Sequence, residues 1–205
     1  MIRVAVVDDH PVVADGLRIA LAQDDGIEVA WTAPTLEAAR AALAENGADI
    51  DVVLLDVRLP DGSGLELLPG ERHGKPAYLV LSTFDRPQYA ATAFRRGAAG
   101  FLLKVAPMDE IIDAIYRTAA GGLAFEARHL VSVRSAPAFT PRELEVVRLV
   151  ASSLSNDEVA ARLGISHKTV EAYLSEMFRR HGFSTRTELA LWAEREGWLD
   201  APPIQ

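Results

Sequence analysis

The chain contains no cysteine among its 205 residues. This absence excludes disulfide bonds, zinc sites with thiolate ligands and cysteine nucleophiles. The sequence also lacks any apolar run near the ~20 residues that a membrane-spanning helix needs. Its apolar N-terminus reaches Asp8 and Asp9 too soon to form a signal peptide. We therefore expect a soluble, cytoplasmic protein with no membrane partner.

An excess of basic residues is missing as well. The formal net charge is −8, and 49% of the residues are apolar, which is enough to form a core. Residues 1–125 carry 11 Lys and Arg against 18 Asp and Glu, whereas residues 139–205 carry 8 against 10. The acidic first part suits a metal ion or a basic partner. The slightly acidic last part argues against simple nucleic-acid binding, which normally uses a basic surface.

The first part of the chain alternates short apolar runs with stretches of helical spacing. Five strands that alternate with helices predict an α/β doubly wound, five-stranded parallel sheet with helices on both faces. The predicted strands are residues 2–7, 27–31, the run that ends at Asp56, 77–81 and 100–103, and the predicted helices are residues 11–23, 36–45, a short one near 63–69, about 87–96 and 107 to about 120.

Polar side chains stand where these predicted strands end. Ligands of such sheets bind outside the carboxyl ends of the strands, so we expect the residues at those ends to converge. The first strand ends in two acids, the third in one acid, the fourth in a hydroxyl and the fifth in an ammonium group; these residues are Asp8, Asp9, Asp56, Ser82 and Lys104.

Clustered carboxylates repel one another, and a hard divalent cation such as Mg²⁺ relieves that repulsion. A carboxylate can also act as a nucleophile and accept a phosphoryl group. Lys104 and Mg²⁺ would then neutralise the phosphoryl charge, and Ser82 would donate a hydrogen bond to a phosphoryl oxygen. An alternative role for Asp56 alone is to cap the following helix. We interpret His10 as a surface residue rather than a ligand.

Four segments carry a specific motif pattern: Val-Val-Asp8-Asp9-His10-Pro11, Leu-Leu-Asp56-Val-Arg-Leu-Pro60-Asp-Gly, Leu-Ser82-Thr83 and Gly-Ala-Ala-Gly-Phe101-Leu-Leu-Lys104. With these segments, residues 1–122 resemble the receiver domain of two-component response regulators. The resemblance implies that Asp56 accepts a phosphoryl group from a sensor histidine kinase. It implies that Asp9 and Asp56 bind Mg²⁺ directly, Asp8 through water and Arg58 through its main-chain carbonyl. It also implies that Ser82 and Phe101 form a switch pair.

Residues 123–138 show no sustained periodicity and end in Ser-Ala-Pro-Ala, which predicts a linker. The remaining residues predict four short helices with strong start signals. Thr140, Ser155 and Thr185 each stand three residues before a glutamate, the spacing of a capping box, and Ser166 can cap a helix over 167–181. The second and third helices, joined by Gly164-Ile165-Ser166, fit a helix-turn-helix, whose second helix enters the DNA major groove.

Residues 139–197 also contain a second motif series: Thr140-Pro141-Arg142-Glu143, Leu154-Ser155-Asn156, Glu158-Val159-Ala160, Leu163-Gly164-Ile165-Ser166, Lys168-Thr169-Val170 and Arg186-Thr187-Glu188-Leu189. This part resembles the LuxR-type DNA-binding domain, which we assign to residues 139–205. The order receiver, linker and LuxR-type domain is that of the NarL-like subfamily. The resemblance implies contacts to double-stranded DNA from Lys168, Thr169, Glu171, Ala172, Tyr173, Ser175, Arg179 and Arg180.

These resemblances imply a transcriptional regulator rather than an enzyme, with Mg²⁺-dependent self-phosphorylation from small phosphodonors and self-dephosphorylation. Phosphorylation is expected to drive a homodimer that binds DNA, because few basic residues remain for phosphate contacts. Arg179 and Arg180 can instead form a solvated face, with Glu176 spaced to pair with Arg180. His167 is either exposed or facing DNA.

Two alternatives compete with a DNA-binding regulator. Glu171 and the acidic balance of residues 139–205 leave open a regulator that acts through protein contacts. A phosphatase with an aspartyl nucleophile would need a second acid two residues after Asp56 as a general acid–base. That position is Arg58, which argues against the phosphatase.

Overall fold

The structure is a computed structural model that describes residues 1–71, 74–127, 129, 139–196 and 198–199. The chain divides into two compact units, residues 1–135 and 136–205. Much of the predicted linker, residues 128 and 130–138, lies outside the described residues.

The first unit is built on a parallel sheet. The strands of this unit are β1 (Ile2–Val7), β2 (Ile27–Ala33), β3 (Val52–Asp56), β4 (Arg58–Leu59), β5 (Gly62–Ser63), β6 (Ala77–Ser82), β7 (Gly100–Leu103) and β8 (Ala124–Phe125). The order in the parallel sheet is β2-β1-β3-β6-β7-β8. A two-stranded antiparallel hairpin, β4 and β5, follows β3 directly. Apolar runs of β-branched residues and leucine form the central strands, and every residue of β3 is buried.

The prediction of five strands in the main sheet is wrong, because the described residues form six. The sixth, β8, pairs with β7 in parallel, with Gly100 opposite Ala124 and Phe101 opposite Phe125. The sequence pattern assigns these residues to the linker instead. Two residues are too few to show the alternation that identifies a strand, and only the free edge of β7 brings this segment into the sheet.

Helices cover the sheet, and a 3₁₀ turn at Gly64–Leu67 stands where a short third helix was predicted. One core cluster joins alternate residues of the strands, including Val4, Leu54 and Leu79, to the apolar side of the last helix of the unit, including Ile115. The α-helices of the first unit are α1 (Pro11–Leu21), α2 (Leu36–Asn46), α3 (Pro87–Arg95) and α4 (Met108–Ala119).

The second unit is helical, as the capping pattern predicts. Thr140 and Ser155 form capping boxes with Glu143 and Glu158, and Ser166 caps the third helix by accepting from the amide of Thr169. Buried apolar residues of all four helices form one core. The helices described here are α5 (Pro141–Ala151), α6 (Asn156–Leu163), α7 (His167–His181) and α8 (Arg186–Glu196).

Two glycines in the left-handed conformation end the helices of the predicted helix-turn-helix. Gly164 follows α6 with φ 65°, and Gly182 follows α7 with φ 74°. Residues with a Cβ rarely adopt this conformation, so glycine sets where each helix stops. Among the described residues, no helix has both the length and the apolar character required to cross a membrane.

Candidate functional site: an acidic pocket and a helix-turn-helix

The register of the parallel strands brings their polar ends to one edge of the sheet. Val7 pairs with Leu55, Asp56 pairs with Leu81, and Ser82 pairs with Leu103. The residues that follow or end these strands are therefore neighbours, as the alternating pattern predicts. We call the group of Asp8, Asp9, Asp56 and Lys104 the acidic pocket.

Lys104 connects two carboxylates of the acidic pocket. Its Nζ lies 2.7 Å from Oδ2 of Asp56 and 2.6 Å from Oδ2 of Asp8. The side chains of Lys104, Asp8 and Asp56 are 7%, 3% and 5% exposed, so these charges interact with little screening by water. The second oxygen of Asp56, Oδ1, accepts a hydrogen bond from the amide of Val57 at 2.7 Å.

Burial changes the acid–base properties of this pair. Burial raises the pKa of Asp56 above its usual range, although its hydrogen bond and ion pair with Lys104 act in the opposite direction. Burial by itself would lower the pKa of Lys104, but its bonds to Asp56 and Asp8 raise that pKa overall. The ammonium therefore stays charged and partly compensates two closely spaced carboxylates.

Asp9 and His10 lie at the mouth of the acidic pocket. His10 Nδ1 lies 2.7 Å from Oδ1 of Asp9 and 3.3 Å from Oδ1 of Asp8, and its backbone amide donates to the same Asp8 oxygen. The His10 side chain is 64% exposed, in line with its interpretation as a surface residue. Asp9 Oδ1 is itself shielded from solvent and, despite this short distance, accepts no well-aligned hydrogen bond.

The acidic pocket fits a hard divalent cation. Oxygens of Asp8, Asp9 and Asp56 and a nitrogen of His10 lie within 4.8 Å of one another. Clustered carboxylate oxygens, one of them without an aligned donor, are the ligands that Mg²⁺ prefers. Arg58, predicted to contribute its main-chain carbonyl, begins β4 two residues after Asp56.

The two predicted switch residues are both buried. Ser82 is 1% exposed, and its hydroxyl donates to the carbonyl of Phe84 and accepts from the amide of Phe84, each at 3.1 Å. Phe101 is 0% exposed and packs edge to face against His129. Ser82 thus stands beside the acidic pocket, but these bonds direct its hydroxyl to the following loop.

Two arginines flank an aromatic ring beside the acidic pocket. The guanidinium carbon of Arg58 lies 4.8 Å from the centroid of the Phe84 ring, and that of Arg86 lies 5.1 Å from it. Both distances fall within the range of cation–π interaction. The sequence does not identify Arg86 as part of this cluster, because no local pattern shows that Arg86 and Arg58 contact the same Phe84 ring.

Gly64 is a further residue of the site that sequence reasoning missed. A Cβ built at this position would lie 1.9 Å from the carbonyl oxygen of Asp56. The amide of Gly64 donates to the carbonyl of Val57, which holds the chain against the end of β3. Only a residue without a side chain allows this approach. The Gly62-Ser-Gly64 sequence hints at a turn but not at this contact.

The helix-turn-helix exposes part of the residue set predicted to contact DNA. Lys168, Glu171, Ala172 and Ser175 are exposed on α7. Thr169 is half-buried, and its hydroxyl lies 2.8 Å from that of Ser166 in the helix cap. Tyr173 packs against the helical core, which leaves its side chain half-buried.

The two arginines of α7 both form ion pairs within the second unit. Arg179 forms two hydrogen bonds with Glu176, at 3.0 and 2.6 Å. Arg180 lies 2.8 Å from Oε2 of Glu143, a buried carboxylate at the start of α5. Glu176 thus bonds directly to Arg179, whereas Arg180 reaches Glu143 on another helix and acts on Glu176 through its charge.

Comparison with known proteins identifies both units. Residues 4–116 match the family model described as response regulator receiver domain, and residues 137–193 match that of bacterial regulatory proteins, luxR family. The transcriptional regulatory protein MctR of Rhizobium johnstonii is 34% identical over 96% of this chain and 94% of its own. UhpA of Escherichia coli is 36% identical over 93% of this chain and 96% of its own.

Solved structures give the same assignment. The response regulator ChrA of a heme-sensing two-component system is 32% identical, covers 96% of this chain and 98% of its own, and has a TM-score of 0.55. RcsB of Salmonella enterica, solved with promoter DNA, covers 97% of this chain and 98% of its own with a TM-score of 0.64, but its 24% identity shows likeness of fold alone. The chain belongs to the response regulators that join a receiver domain to a LuxR-type DNA-binding domain. Its relatives are of the NarL and UhpA type, which confirms the predicted subfamily.

Proposed function

We propose that this transcriptional regulator is switched by phosphorylation of Asp56, with Mg²⁺ and a sensor histidine kinase as phosphodonor. The observation that carries the proposal is the bridge from Lys104 to Asp56 and Asp8, with Asp9 beside it. In the transfer, an oxygen of Asp56 forms a bond to phosphorus while the bond from phosphorus to the kinase imidazole breaks. The acceptor oxygen comes from a carboxylate, so no proton has to leave this chain.

The residues around Asp56 have separate tasks. Lys104 would exchange part of its contact with Asp56 for a phosphoryl oxygen, which keeps its charge beside the transferring group. Ser82 would donate to another phosphoryl oxygen after releasing Phe84. Magnesium, when bound, supplies charge neutralisation, and Asp8, Asp9, Asp56 and the main-chain carbonyl of Arg58 would hold it. The same pocket supports slow self-phosphorylation from small phosphodonors and loss of phosphate to water.

Residues 1–122 would receive the signal, residues 123–138 would connect the domains, and residues 139–205 would bind DNA through the major groove. Lys168, Glu171, Ala172 and Ser175 have the exposure that such contacts need. The other predicted contacts, Thr169, Tyr173, Arg179 and Arg180, are each partly engaged within the second unit.

Phosphorylation would favour a homodimer, and the dimer would provide the affinity. Three basic residues are predicted to contact DNA. Arg179 and Arg180 form ion pairs with acids, whereas no ion pair among the described residues offsets the charge of Lys168. Affinity for DNA depends mainly on phosphate neutralisation, so one domain alone should bind weakly and two should bind far more tightly. Structures of the relative RcsB include dimers bound to DNA.

The direct test is labelling by acetyl phosphate. Wild-type protein with Mg²⁺ is expected to incorporate one phosphoryl group, whereas Asp56→Ala should incorporate none. Equal labelling of both proteins would show that Asp56 is not the acceptor. Size measurement with and without a phosphoryl mimic then tests whether the modification causes dimer formation.

A second candidate function is regulation through protein contacts, with little DNA binding. The ion pairs that engage Arg179 and Arg180, together with exposed Glu171, favour it. Selection from a random DNA pool by the phosphorylated protein separates the two functions. Enriched sequences support the DNA-binding regulator, and a pool without enrichment at low salt supports the alternative.

A further inference from the structure

One histidine links two acids across the helix-turn-helix. His167, the first residue of α7, places Nδ1 2.6 Å from Oδ1 of Asp157 on α6 and Nε2 3.3 Å from Oε1 of Glu171 one turn further along α7. Each ring nitrogen thus faces a carboxylate oxygen. Both nitrogens of an imidazole can donate only when the ring is protonated, so this arrangement suits the imidazolium form.

The surroundings of His167 favour its positive charge. The hydrogen bond with Asp157 raises the pKa of His167 above its usual range; loss of hydration opposes this shift, and Glu171 adds to it. The other charged residues of α6 are Glu158 and Arg162, and Lys168 follows His167 on α7. Glu158 accepts a hydrogen bond from Ser155 in the cap of α6. Its bonds with Ser155 lower the pKa of Glu158, and the positive charge of Arg162 contributes in the same direction.

This bridge changes the charge of the surface that would face DNA. Without it, Asp157 and Glu171 would both repel phosphates at the end of α7 that a helix-turn-helix inserts into the groove. An imidazolium between them offsets one of the two negative charges. For each phosphate that a protein neutralises, the logarithm of affinity falls by about 0.9 for each tenfold rise in salt concentration. One such interaction is therefore worth about tenfold in affinity at 0.1 M salt relative to 1 M salt.

The bridge also restrains Glu171. His167 binds one carboxylate oxygen, Oε1, and a carboxylate offers a second oxygen that can accept from the N4 amino group of cytosine. An unrestrained glutamate would lose side-chain entropy on making that contact. An acidic residue on a DNA-reading helix is therefore usable when a neighbouring cation both holds it and lowers its net charge.

We propose that His167 is a positioning residue of the DNA-reading helix: its imidazolium holds Glu171 to read a cytosine and makes DNA binding stronger at the lower pH where the ring is protonated. This inference rests on the proposed DNA-binding function. As pH rises through the pKa of His167, the ring loses its charge, the two acids repel DNA fully, and affinity falls.

The test uses the full-length protein carrying a phosphoryl mimic. Sequences are first selected from a random DNA pool, and the affinity of a selected site is then measured by fluorescence anisotropy at about pH 6 and about pH 9, a range that extends well above an ordinary histidine pKa because that of His167 is raised. The proteins compared are wild type, His167→Gln, His167→Lys and Glu171→Gln. Glu176→Gln is the matched control, because it removes an acid of the same helix that pairs with an arginine.

Wild type is expected to lose about fivefold to tenfold in affinity across this pH range for each helix in the groove. His167→Gln should bind weakly at both values, whereas His167→Lys should bind well at both. Glu176→Gln should keep the wild-type pH dependence. Glu171→Gln should lose the preference for cytosine at one position, and His167→Gln should weaken the same preference.

Two results would overturn the inference alone: His167→Gln titrating like wild type, or Glu171→Gln selecting the same base as wild type. Absence of any enriched sequence with wild type would overturn the DNA-binding function and the inference together. Thermal unfolding of the variants, whose altered side chains are exposed, verifies that each is folded.

Discussion

The ring of Phe101 meets the imidazole of His129 edge to face, with 5.0 Å between the ring centroids. Both side chains are buried, at 0% and 1% exposure, and Nε2 of His129 lies 3.2 Å from Oδ1 of Asp85 in the loop after β6. His129 belongs to the predicted linker, yet it contacts the predicted switch residue Phe101. It also contacts the loop that follows the second predicted switch residue, Ser82.

Replacing His129 with alanine should therefore weaken the coupling between phosphorylation of Asp56 and dimer formation. The variant leaves a cavity beside Phe101, which should lower the free energy of unfolding by about 2 kcal/mol or more. Asp56 should still be labelled by acetyl phosphate, but labelling should increase the dimer fraction less than in wild type. Light scattering after chromatography measures that fraction. His129→Phe, which keeps an aromatic ring, is the control, and an unchanged dimer response in His129→Ala would contradict the prediction.

Asp56→Asn should make the protein more stable at neutral pH. The pKa of Asp56 is raised by burial, so the folded state favours the protonated carboxyl. The stabilising effect of protonation is complete below the ordinary pKa of aspartate and is lost as pH rises through the raised value. The difference in unfolding free energy between Asp56→Asn and wild type should therefore shrink on acidification. Urea denaturation over a pH series measures it, and a constant difference would count against a raised pKa.

Gly64→Ala should destabilise the first unit. The new Cβ would meet the carbonyl oxygen of Asp56, a backbone atom that cannot rotate away. Overpacking of a core typically costs about 1–3 kcal/mol, because neighbouring atoms must shift. A clash with a fixed backbone oxygen lies at the upper end, so we expect about 3 kcal/mol or more here. Gly70→Ala provides the contrast, since it meets no atom within 4 Å and carries only the strain of its φ of 86°. Similar melting temperatures for Gly64→Ala and wild type would show that the two segments are not in contact.

Phe84→Ala should shorten the lifetime of phosphorylated Asp56. The ring contacts the guanidinium groups of Arg58 and Arg86, and Arg58 and Phe84 each stand two residues after a predicted residue of the site, Asp56 and Ser82. A cation–π contact is worth roughly 0.5–1 kcal/mol at an exposed site, so the loss should speed phosphate release about twofold to fivefold. Release is timed after removal of the phosphodonor. Arg58→Ala should act in the same direction, and an unchanged or slower release in both variants would contradict the prediction.

Arg180→Ala should destabilise the second unit far more than Arg179→Ala. Arg180 pairs with buried Glu143, and that carboxylate also accepts from the amide of Thr140. Because Arg180 is itself 38% exposed, its loss should cost about 1–2 kcal/mol, less than a fully buried pair. Arg179→Ala should leave stability nearly unchanged.

The same variants differ in their response to acid. Burial opposes ionisation of Glu143, but its bonds to Arg180 and Thr140 lower its pKa overall. That stabilisation is present above the ordinary glutamate pKa and disappears as pH falls through the lowered value. Arg180→Ala should therefore differ from wild type at neutral pH and approach it in acid. Thermal unfolding followed by circular dichroism over a pH series measures this difference in stability. Equal stability of Arg180→Ala and wild type at neutral pH would contradict the prediction.

Local sequence determined the elements and the family of this protein. Apolar runs that stop at Asp8, Asp56, Ser82 and Lys104 predict parallel strands with polar ends, because side-chain burial and strand direction follow from short-range pattern. Capping boxes and glycines likewise predict the helices of the second unit, since hydrogen bonds within four residues decide where a helix begins and ends. The family models confirm both domains.

Contacts between segments distant in the chain could be decided only by the tertiary structure. No local pattern shows that β8 joins the edge of β7, that His129 packs on Phe101, or that Arg180 reaches Glu143. The same is true of His167, whose partner Asp157 lies on the preceding helix. Burial and pairing depend on which surfaces meet after the helices and strands have formed. The sequence alone therefore determined the two domains and predicts which residues carry the chemistry, whereas packing decided the partners of those residues and hence their charge and orientation.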